Sequence, residues 1–172
     1  DLEDGTSIVK QQENKKLDGS YIVRYPDGKP KVEAHYSEGK RDGEYRKYYP
    51  SGQLQEFTNY LRGQIHGTQL KYFENGQPEI ETGFKNGVRN GEQKEYYPSG
   101  QLKAHITVKN GRLEGAGKLY HENGNLRREC TWVNHVLQGE YREYYQSGIL
   151  NISGTMKGNH FEGQHNIYNE TG

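Results

Sequence analysis

Apolar and polar residues alternate along short stretches of this chain, and the same alternation returns every 24 residues. Successive side chains of a β-strand point to opposite faces, so alternate positions share one face. In the stretch from Leu54 to Tyr60, one such face is apolar at its ends and has the small residue Thr58 near its middle. The equivalent middle positions are Ala34, Thr82, Ile106, Cys130 and Gly154. The opposite face carries Lys31, Gln55, Glu79, Lys103, Arg127 and Asn151. The pattern predicts strands with one packed and one solvated face.

A second, tyrosine-rich stretch precedes each of these strands, as at Glu44 to Tyr49, and it predicts another strand. Its end carries two adjacent aromatic rows. We call the first row the tyrosine ladder; it comprises Tyr48, Tyr72, Tyr96, Tyr120, Tyr144 and Tyr168. The second row comprises Tyr25, Tyr49, Phe73, Tyr97, His121, Tyr145 and Asn169. Neighbouring side chains alternate between faces, so we expect one row on the packed side and the other on the open side. The ladder keeps Tyr throughout, which suggests that its hydroxyl matters.

Glycines at fixed intervals predict the turns between these strands. One series follows the tyrosine-rich strand and comprises Gly28, Gly52, Gly76, Gly100, Gly124 and Gly148. Pro50 sets φ and Gly52 supplies a positive φ in the first kind of turn. Asn86-Gly87 and Asn110-Gly111 are strong signals for the second kind, a two-residue hairpin turn. Each repeat therefore holds two short strands and leaves no room for a helix of ordinary length.

The fold class that follows is all-β: an elongated, single-layer antiparallel array of β-hairpins with about two strands per 24-residue repeat. Residues 1–18 are interpreted as a partial N-terminal repeat, residues 19–162 as six tandem repeats, and residues 163–172 as a partial C-terminal repeat. Together they form one continuous repeat domain. Contacts are expected mainly between sequence neighbours.

Composition supports a thin structure. Only 30% of residues are hydrophobic and the mean hydropathy is −1.20, yet the chain has 15 Tyr, which can pack a ring while its hydroxyl stays wet. Lys and Arg balance Asp and Glu at 23 each, so we expect no nucleic-acid partner and no membrane contact. One cysteine excludes an intrachain disulfide and leaves the compartment open. The localisation stays open from the sequence: we expect a cytoplasmic protein, or an exported one if an N-terminal signal was removed before Asp1.

Catalytic and metal-binding patterns are not found in the sequence. The seven His fall at seven different positions of the repeat, and no H-x-x-H or H-E-x-x-H motif occurs. Carboxylates are scattered, and Cys130 occupies a small-residue position where burial is expected. We therefore predict no catalytic, cofactor-binding or metal-binding residue, no cofactor and no enzymatic activity.

The recurring pattern G-x-Y-x-x-Y-Y-x-x-G-x-L resembles the MORN-type repeat, in the longer bacterial variant found in YwqK-like proteins. The segments GEYRKYYPSGQL at 43–54, GEQKEYYPSGQL at 91–102 and GEYREYYQSGIL at 139–150 carry the resemblance, which covers residues 19–172. It implies a curved single layer of hairpins and a non-catalytic interaction scaffold. YwqK-like proteins are commonly described as antitoxin components, so the resemblance also implies a toxin as one kind of partner.

Two functions remain open from the sequence. In the first, the array binds a protein partner, such as a toxin, through the tyrosine ladder. In the second, it is a structural or cell-surface protein that acts as a spacer or adhesion module. Exposed end strands make the chain either a monomer or a weak edge-to-edge oligomer.

Overall fold

The computed structural model describes residues 16–171, and these form one antiparallel sheet of fourteen strands without a helix. The all-β single-sheet prediction is confirmed. The predictions for residues 1–15 and for residue 172 lie outside the described residues. The strands are β1 Gly19–Arg24, β2 Pro30–Ser37, β3 Lys40–Tyr48, β4 Leu54–Leu61, β5 Gln64–Tyr72, β6 Pro78–Lys85, β7 Val88–Tyr96, β8 Leu102–Lys109, β9 Arg112–Tyr120, β10 Leu126–Val133, β11 Val136–Tyr144, β12 Leu150–Lys157, β13 His160–Phe161 and β14 Asn166–Ile167.

Each strand from β1 to β13 pairs with its neighbours in the chain, so the sheet is a continuous meander. The short strands β13 and β14 both pair with β12, through Met156–Phe161 and Ile152–Ile167. They occupy the place that a single strand such as β11 occupies one repeat earlier. The spatial order of the repeats therefore follows their order in the sequence, and equivalent residues form rows across the sheet.

The two-residue turns reverse the chain at one edge of the array. In the turn between β4 and β5, Leu61 pairs with Gln64, and the intervening Arg62 and Gly63 have φ of 49° and 85°. Two successive positive φ values define the type I′ turn, whose twist matches that of paired strands. Asn86 and Gly87, at φ of 52° and 78°, form the same turn one repeat later, as their sequence predicted.

The longer turns lie at the other edge of the array. Between β3 and β4, the Gly52 amide donates to the Tyr49 carbonyl at 2.9 Å, and the Tyr49 amide donates to the Gln53 carbonyl at 2.8 Å. Gly52 closes this turn at φ of 95°, a conformation that other residues adopt only at a cost. The equivalent glycines with positive φ are Gly28, Gly76, Gly100, Gly124 and Gly148.

The packed face is the face of the sheet that contains Thr58 and its equivalents in the other repeats. Thr58 is 0% exposed and Cys130 is 4% exposed, although only one layer of strands is present. Large side chains from adjacent strands cover these small residues, as Trp132 covers Gly117. Polar residues on this face are paired with each other: the Gln69 amide and the Thr58 hydroxyl both donate to Glu56. The predicted alternation holds at the middle positions, where Ala34, Thr58, Thr82 and Cys130 are buried. It fails elsewhere, because the charged Glu56 lies on the packed face and the opposite face is half-buried instead of solvated.

Candidate protein-binding face

The tyrosine ladder lies on the opposite side of the sheet, which we call the polar face. This face comprises the residues of β3, β4 and their equivalents that alternate with the packed ones. Tyr48 ends β3 two residues after Arg46, so both side chains lie on the same face. The Tyr48 hydroxyl donates to a carboxylate oxygen of Glu33 on β2 at 2.8 Å. The ladder residues from Tyr48 to Tyr144 are half-buried, and Tyr168 is exposed.

The second aromatic row has a structural role instead. Tyr49 lies in the turn after β3, and its hydroxyl donates to the backbone carbonyl of Tyr72 in the next repeat at 2.8 Å. Four more residues of this row, Tyr25, Tyr97, His121 and Tyr145, contact the equivalent carbonyl of the following repeat. The regular hydrogen bond between repeats therefore belongs to this row. The ladder residues do not make this hydrogen bond between repeats, so it does not explain why the ladder has Tyr in every repeat.

Among the described ladder residues before Tyr168, only Tyr48 and Tyr96 have a hydrogen-bond partner for the hydroxyl. The Tyr96 hydroxyl lies 3.5 Å from Glu81, as Tyr48 lies near Glu33. Within residues 16–171, the hydroxyls of Tyr72, Tyr120 and Tyr144 have no hydrogen-bond partner. The Tyr168 hydroxyl lies 3.4 Å from Ser153 at the end of the array.

Three pairs of oppositely charged residues lie at the centre of the polar face. Glu33 pairs directly with Arg46, Glu81 with Lys94, and Glu129 with Arg142. These pairs are partners in the strand register, and Lys94–Glu81 at 3.9 Å and Arg142–Glu129 at 3.4 Å are ion pairs as well. Each basic residue contacts a carboxylate two residues earlier on its own strand. These contacts are Arg46–Glu44 at 2.5 Å, Lys94–Glu92 at 3.5 Å and Arg142–Glu140 at 3.1 Å.

Each group of two glutamates, one basic residue and one ladder tyrosine is called a station. Station one is Glu33, Glu44, Arg46 and Tyr48; station two is Glu81, Glu92, Lys94 and Tyr96; station three is Glu129, Glu140, Arg142 and Tyr144. Equivalent members are 48 residues apart, which corresponds to two repeats. Exposed ion pairs of this kind contribute at most about 1 kcal/mol each to stability.

The positions between stations differ from one another. Phe57 on β4 pairs with Leu70 on β5 between the first two stations, and the Arg46 guanidinium lies 5.4 Å from the Phe57 ring centre. His105 on β8 pairs with Lys118 on β9 between the second and third stations. The first interval on the polar face is thus apolar, and the second is basic.

Two shallow depressions coincide with the first and third stations. One, of about 690 Å³, is lined by Glu33, Glu44 and Arg46 among others. The other, of about 250 Å³, is lined by the equivalent Glu129, Glu140 and Arg142. The surface can therefore accept side chains of a partner at these two stations.

The three ladder tyrosines that belong to stations have a raised pKa. Burial raises the pKa of Tyr48, Tyr96 and Tyr144, and a neighbouring carboxylate of Glu33, Glu81 or Glu129 raises it further. A nearby anion disfavours ionisation of a phenol, so these hydroxyls ionise only at a more alkaline pH than that of an ordinary tyrosine.

Other reactive groups in the described residues lie outside this arrangement. Burial raises the pKa of the Cys130 thiol to about 11, which makes it a poor nucleophile. No group of three His, Cys, Asp or Glu side chains in residues 16–171 is placed to hold a metal ion. The same residues contain no helix that is long and apolar enough to cross a membrane.

Comparison with known families agrees with the meander of hairpins. A family model described as MORN repeat variant matches residues 17–38, 41–61, 65–86, 89–110, 113–134 and 137–157. The chain belongs to the MORN repeat variant family. MORN repeats of this kind build protein-interaction or binding modules and are typically non-enzymatic. No curated protein sequence matches the chain significantly.

In this MORN repeat variant, all six ladder residues lie in one row on the polar face. The sequence alone did not determine on which face of the sheet the ladder lies. The stations were not among the predicted site residues. A pattern in the sequence could have revealed the stations. Alternate repeats begin with Gly-Glu, at Glu44, Glu92 and Glu140, whereas Thr68 and Ala116 stand in place of Glu in the repeats between them.

Proposed function

We propose that this chain is a non-catalytic binding scaffold that holds a protein partner on its polar face through the tyrosine ladder, from Tyr48 to Tyr168. The observation that carries the proposal is the difference between the two faces. The buried side chains, such as Thr58, Cys130 and Tyr141, lie on the packed face, whereas the polar face presents half-buried tyrosine rings beside charged groups. Tyr and Arg are enriched in the residues that dominate binding energy at protein interfaces.

We further propose that the partner is a toxin and that the chain acts as its antitoxin or immunity component. The support for this finer assignment is the resemblance of the segments at 43–54, 91–102 and 139–150 to YwqK-like repeats. An array of this form can neutralise a toxin by covering its active surface over several repeats. Such inhibition requires binding alone, in agreement with the buried, weakly nucleophilic Cys130.

The experiment is co-expression of the chain with the products of its neighbouring genes, followed by co-purification and a growth assay. We expect one product to be toxic alone, to co-purify with the chain and to be neutralised by it. The triple substitution Tyr72→Ala, Tyr96→Ala and Tyr120→Ala should abolish both effects while the protein stays folded. The matched control replaces Val88 and Ile149, which are exposed hydrophobic residues outside the ladder, by Ala.

The two parts of the proposal fail separately. Neutralisation that survives the triple tyrosine substitution would show that the polar face is not the binding surface. Tyrosine-dependent capture of a non-toxic neighbour would keep the scaffold and remove the antitoxin role. Absence of any captured partner would favour the spacer or adhesion function instead.

A further inference from the structure

Two spacings recur along the polar face: the distance between successive ladder tyrosines and the distance between successive stations. A partner that contacts the whole face must match both. Adjacent strands are about 4.8 Å apart, so one ladder tyrosine follows the next, two strands on, at about 9.6 Å. Stations recur every four strands, at about 19 Å. A partner that uses the whole array must present side chains on one side at these intervals.

These intervals discriminate between partner conformations. Side chains on one side of an α-helix recur with its turns of about 5.4 Å, and those of a β-strand recur at about 6.7 Å. Neither distance divides evenly into 9.6 Å. A polyproline II helix has three residues per turn and a rise of about 3.1 Å per residue, which gives about 9.3 Å per turn. One turn therefore matches one repeat, and the mismatch is only about 0.3 Å per repeat.

The chemistry of the face agrees with this geometry. Polyproline II segments bind to surfaces lined by aromatic side chains, which contact the proline rings. The ladder provides one tyrosine per turn, from Tyr48 through Tyr144, on a line that crosses the strands.

The stations add a charge requirement at every second turn. Each has two carboxylates for one basic side chain of its own, which leaves one formal negative charge at the first two stations. At the third station Lys118 on β9 also contacts Glu129, at 3.8 Å, and offsets that charge. The outer carboxylates are well exposed: 54% for Glu44, 63% for Glu92 and 78% for Glu140. A tyrosine ring beside a carboxylate also favours a cation, through its π face.

The residues of the array between two stations determine which partner side chain is favoured midway between two basic residues of the partner. Phe57 and Leu70 favour an apolar side chain between the first two basic groups. Between the second and third, Lys118 and His105 already contact Glu129 and Glu92, and an acidic side chain of the partner would share Lys118 with Glu129. This asymmetry gives the bound segment a direction along the array.

We infer that the partner binds through a proline-rich segment in the polyproline II conformation, with a basic side chain at every sixth residue. The inference rests on the proposed function and names the chemistry of its partner. One repeat of the array contacts one turn of the segment, and the three stations bind three basic residues at the same time. Simultaneous engagement strengthens binding well beyond that of one station.

The test uses two labelled peptides and measures fluorescence anisotropy with the purified chain at low salt. The first peptide has Lys at every sixth position, Leu and Glu at the two midpoints, and Pro elsewhere. The second has the same composition, with one Pro moved so that the Lys spacing is five and then seven residues. We expect the regular peptide to bind about tenfold more tightly, because only it reaches all three stations.

Charge substitutions locate the binding. The triple variant Glu44→Gln, Glu92→Gln and Glu140→Gln should reduce binding of the regular peptide to that of the shifted one. The matched control is Glu74→Gln, Glu122→Gln and Glu170→Gln, which removes the same charge at the same 48-residue spacing, from exposed positions near the longer turns. It should leave binding unchanged, and circular dichroism should show both variants folded.

Three results would overturn the inference: equal binding of the two peptides, no binding of either, or an equal effect of the two triple variants. Any of them leaves the proposed function standing if capture of the partner still depends on the ladder. Loss of that dependence would instead remove the proposed function itself.

Discussion

The hydroxyl of Tyr97 donates a 2.8 Å hydrogen bond to the backbone carbonyl of Tyr120, one repeat further along the chain. This bond joins the turn of one repeat to the last residue of a strand in the next, where the sheet ladder ends. Phe73 occupies the equivalent position two strands earlier and has no hydroxyl, so the carbonyl of Tyr96 lacks this bond.

We therefore predict that Phe73→Tyr stabilises the protein. The added hydroxyl should reach the Tyr96 carbonyl as Tyr97 reaches that of Tyr120, and a hydrogen bond of this kind is worth about 1 kcal/mol. Urea unfolding should show that gain in the free energy of unfolding, and Tyr97→Phe should show a similar loss. The control, Tyr96→Phe, should change stability by less than about 0.5 kcal/mol, since its hydroxyl contact with Glu81 is long and partly exposed. An unchanged Phe73→Tyr protein would contradict the role given to this row.

Gly117→Ala should destabilise the array. A methyl group at this position would lie 2.1 Å from the Trp132 ring, too close for both to stay in place. Overpacking of this kind costs about 1–3 kcal/mol. The free energy of unfolding should fall by that amount in a urea titration, and the fluorescence of the single Trp should shift as the ring is displaced.

The control for Gly117→Ala is Gly124→Ala, which has no atom within 4 Å of the added methyl group but a φ of 88°. It should cost about 1 kcal/mol through backbone strain alone and leave the Trp fluorescence unchanged. An identical fluorescence change in both variants would show that the steric explanation is wrong.

His135 replaces the usual glycine in a two-residue turn and has a φ of 70°. Its Nδ1 accepts a hydrogen bond of 3.2 Å from the Leu113 amide. His135→Ala should lose this bond and keep the strain, lowering the free energy of unfolding by about 1 kcal/mol. His135→Gly should lose the bond but relieve a strain of similar size, so its stability should stay close to that of the wild type. Equal stabilities for the two variants in urea titrations would disprove this balance.

Alkaline pH should destabilise the protein through Cys130. Burial raises the pKa of its thiol from 9.0 to about 11, so the folded state favours the neutral form. Above pH 9 the Cys130 thiol ionises in the unfolded chain but stays neutral in the folded protein. The contribution of this thiol to the free energy of unfolding is therefore fully present below pH 9 and is lost as the pH rises to 11. The loss attributable to this group is about 2 kcal/mol. Urea titrations across that range should show a smaller fall for Cys130→Ala than for the wild type, and equal falls would contradict the assignment.

Much of the fold could be predicted from local patterns. Asn86-Gly87 specifies a type I′ turn because both residues accept a positive φ, and the alternation around Thr58 specifies which side of a strand is packed. Strands that pair with their chain neighbours need no long-range information, so repeats in the sequence become repeats in space.

The candidate site was only partly predictable. Glu33 and Arg46 are 13 residues apart in the sequence, and only the strand register places them side by side. The same register separates the ladder from the second aromatic row, although Tyr48 and Tyr49 are adjacent. Tyr49 leaves the strand for the turn, so strict alternation does not apply to it.

The sequence by itself determined the period, the turns and the single-layer sheet, because each depends on the conformational preferences of a few adjacent residues. The tertiary structure decided which tyrosine row is left on the polar face, and which charges meet there in every second repeat. Those features depend on the register in which neighbouring strands pair, and the sequence of a single strand does not specify that register.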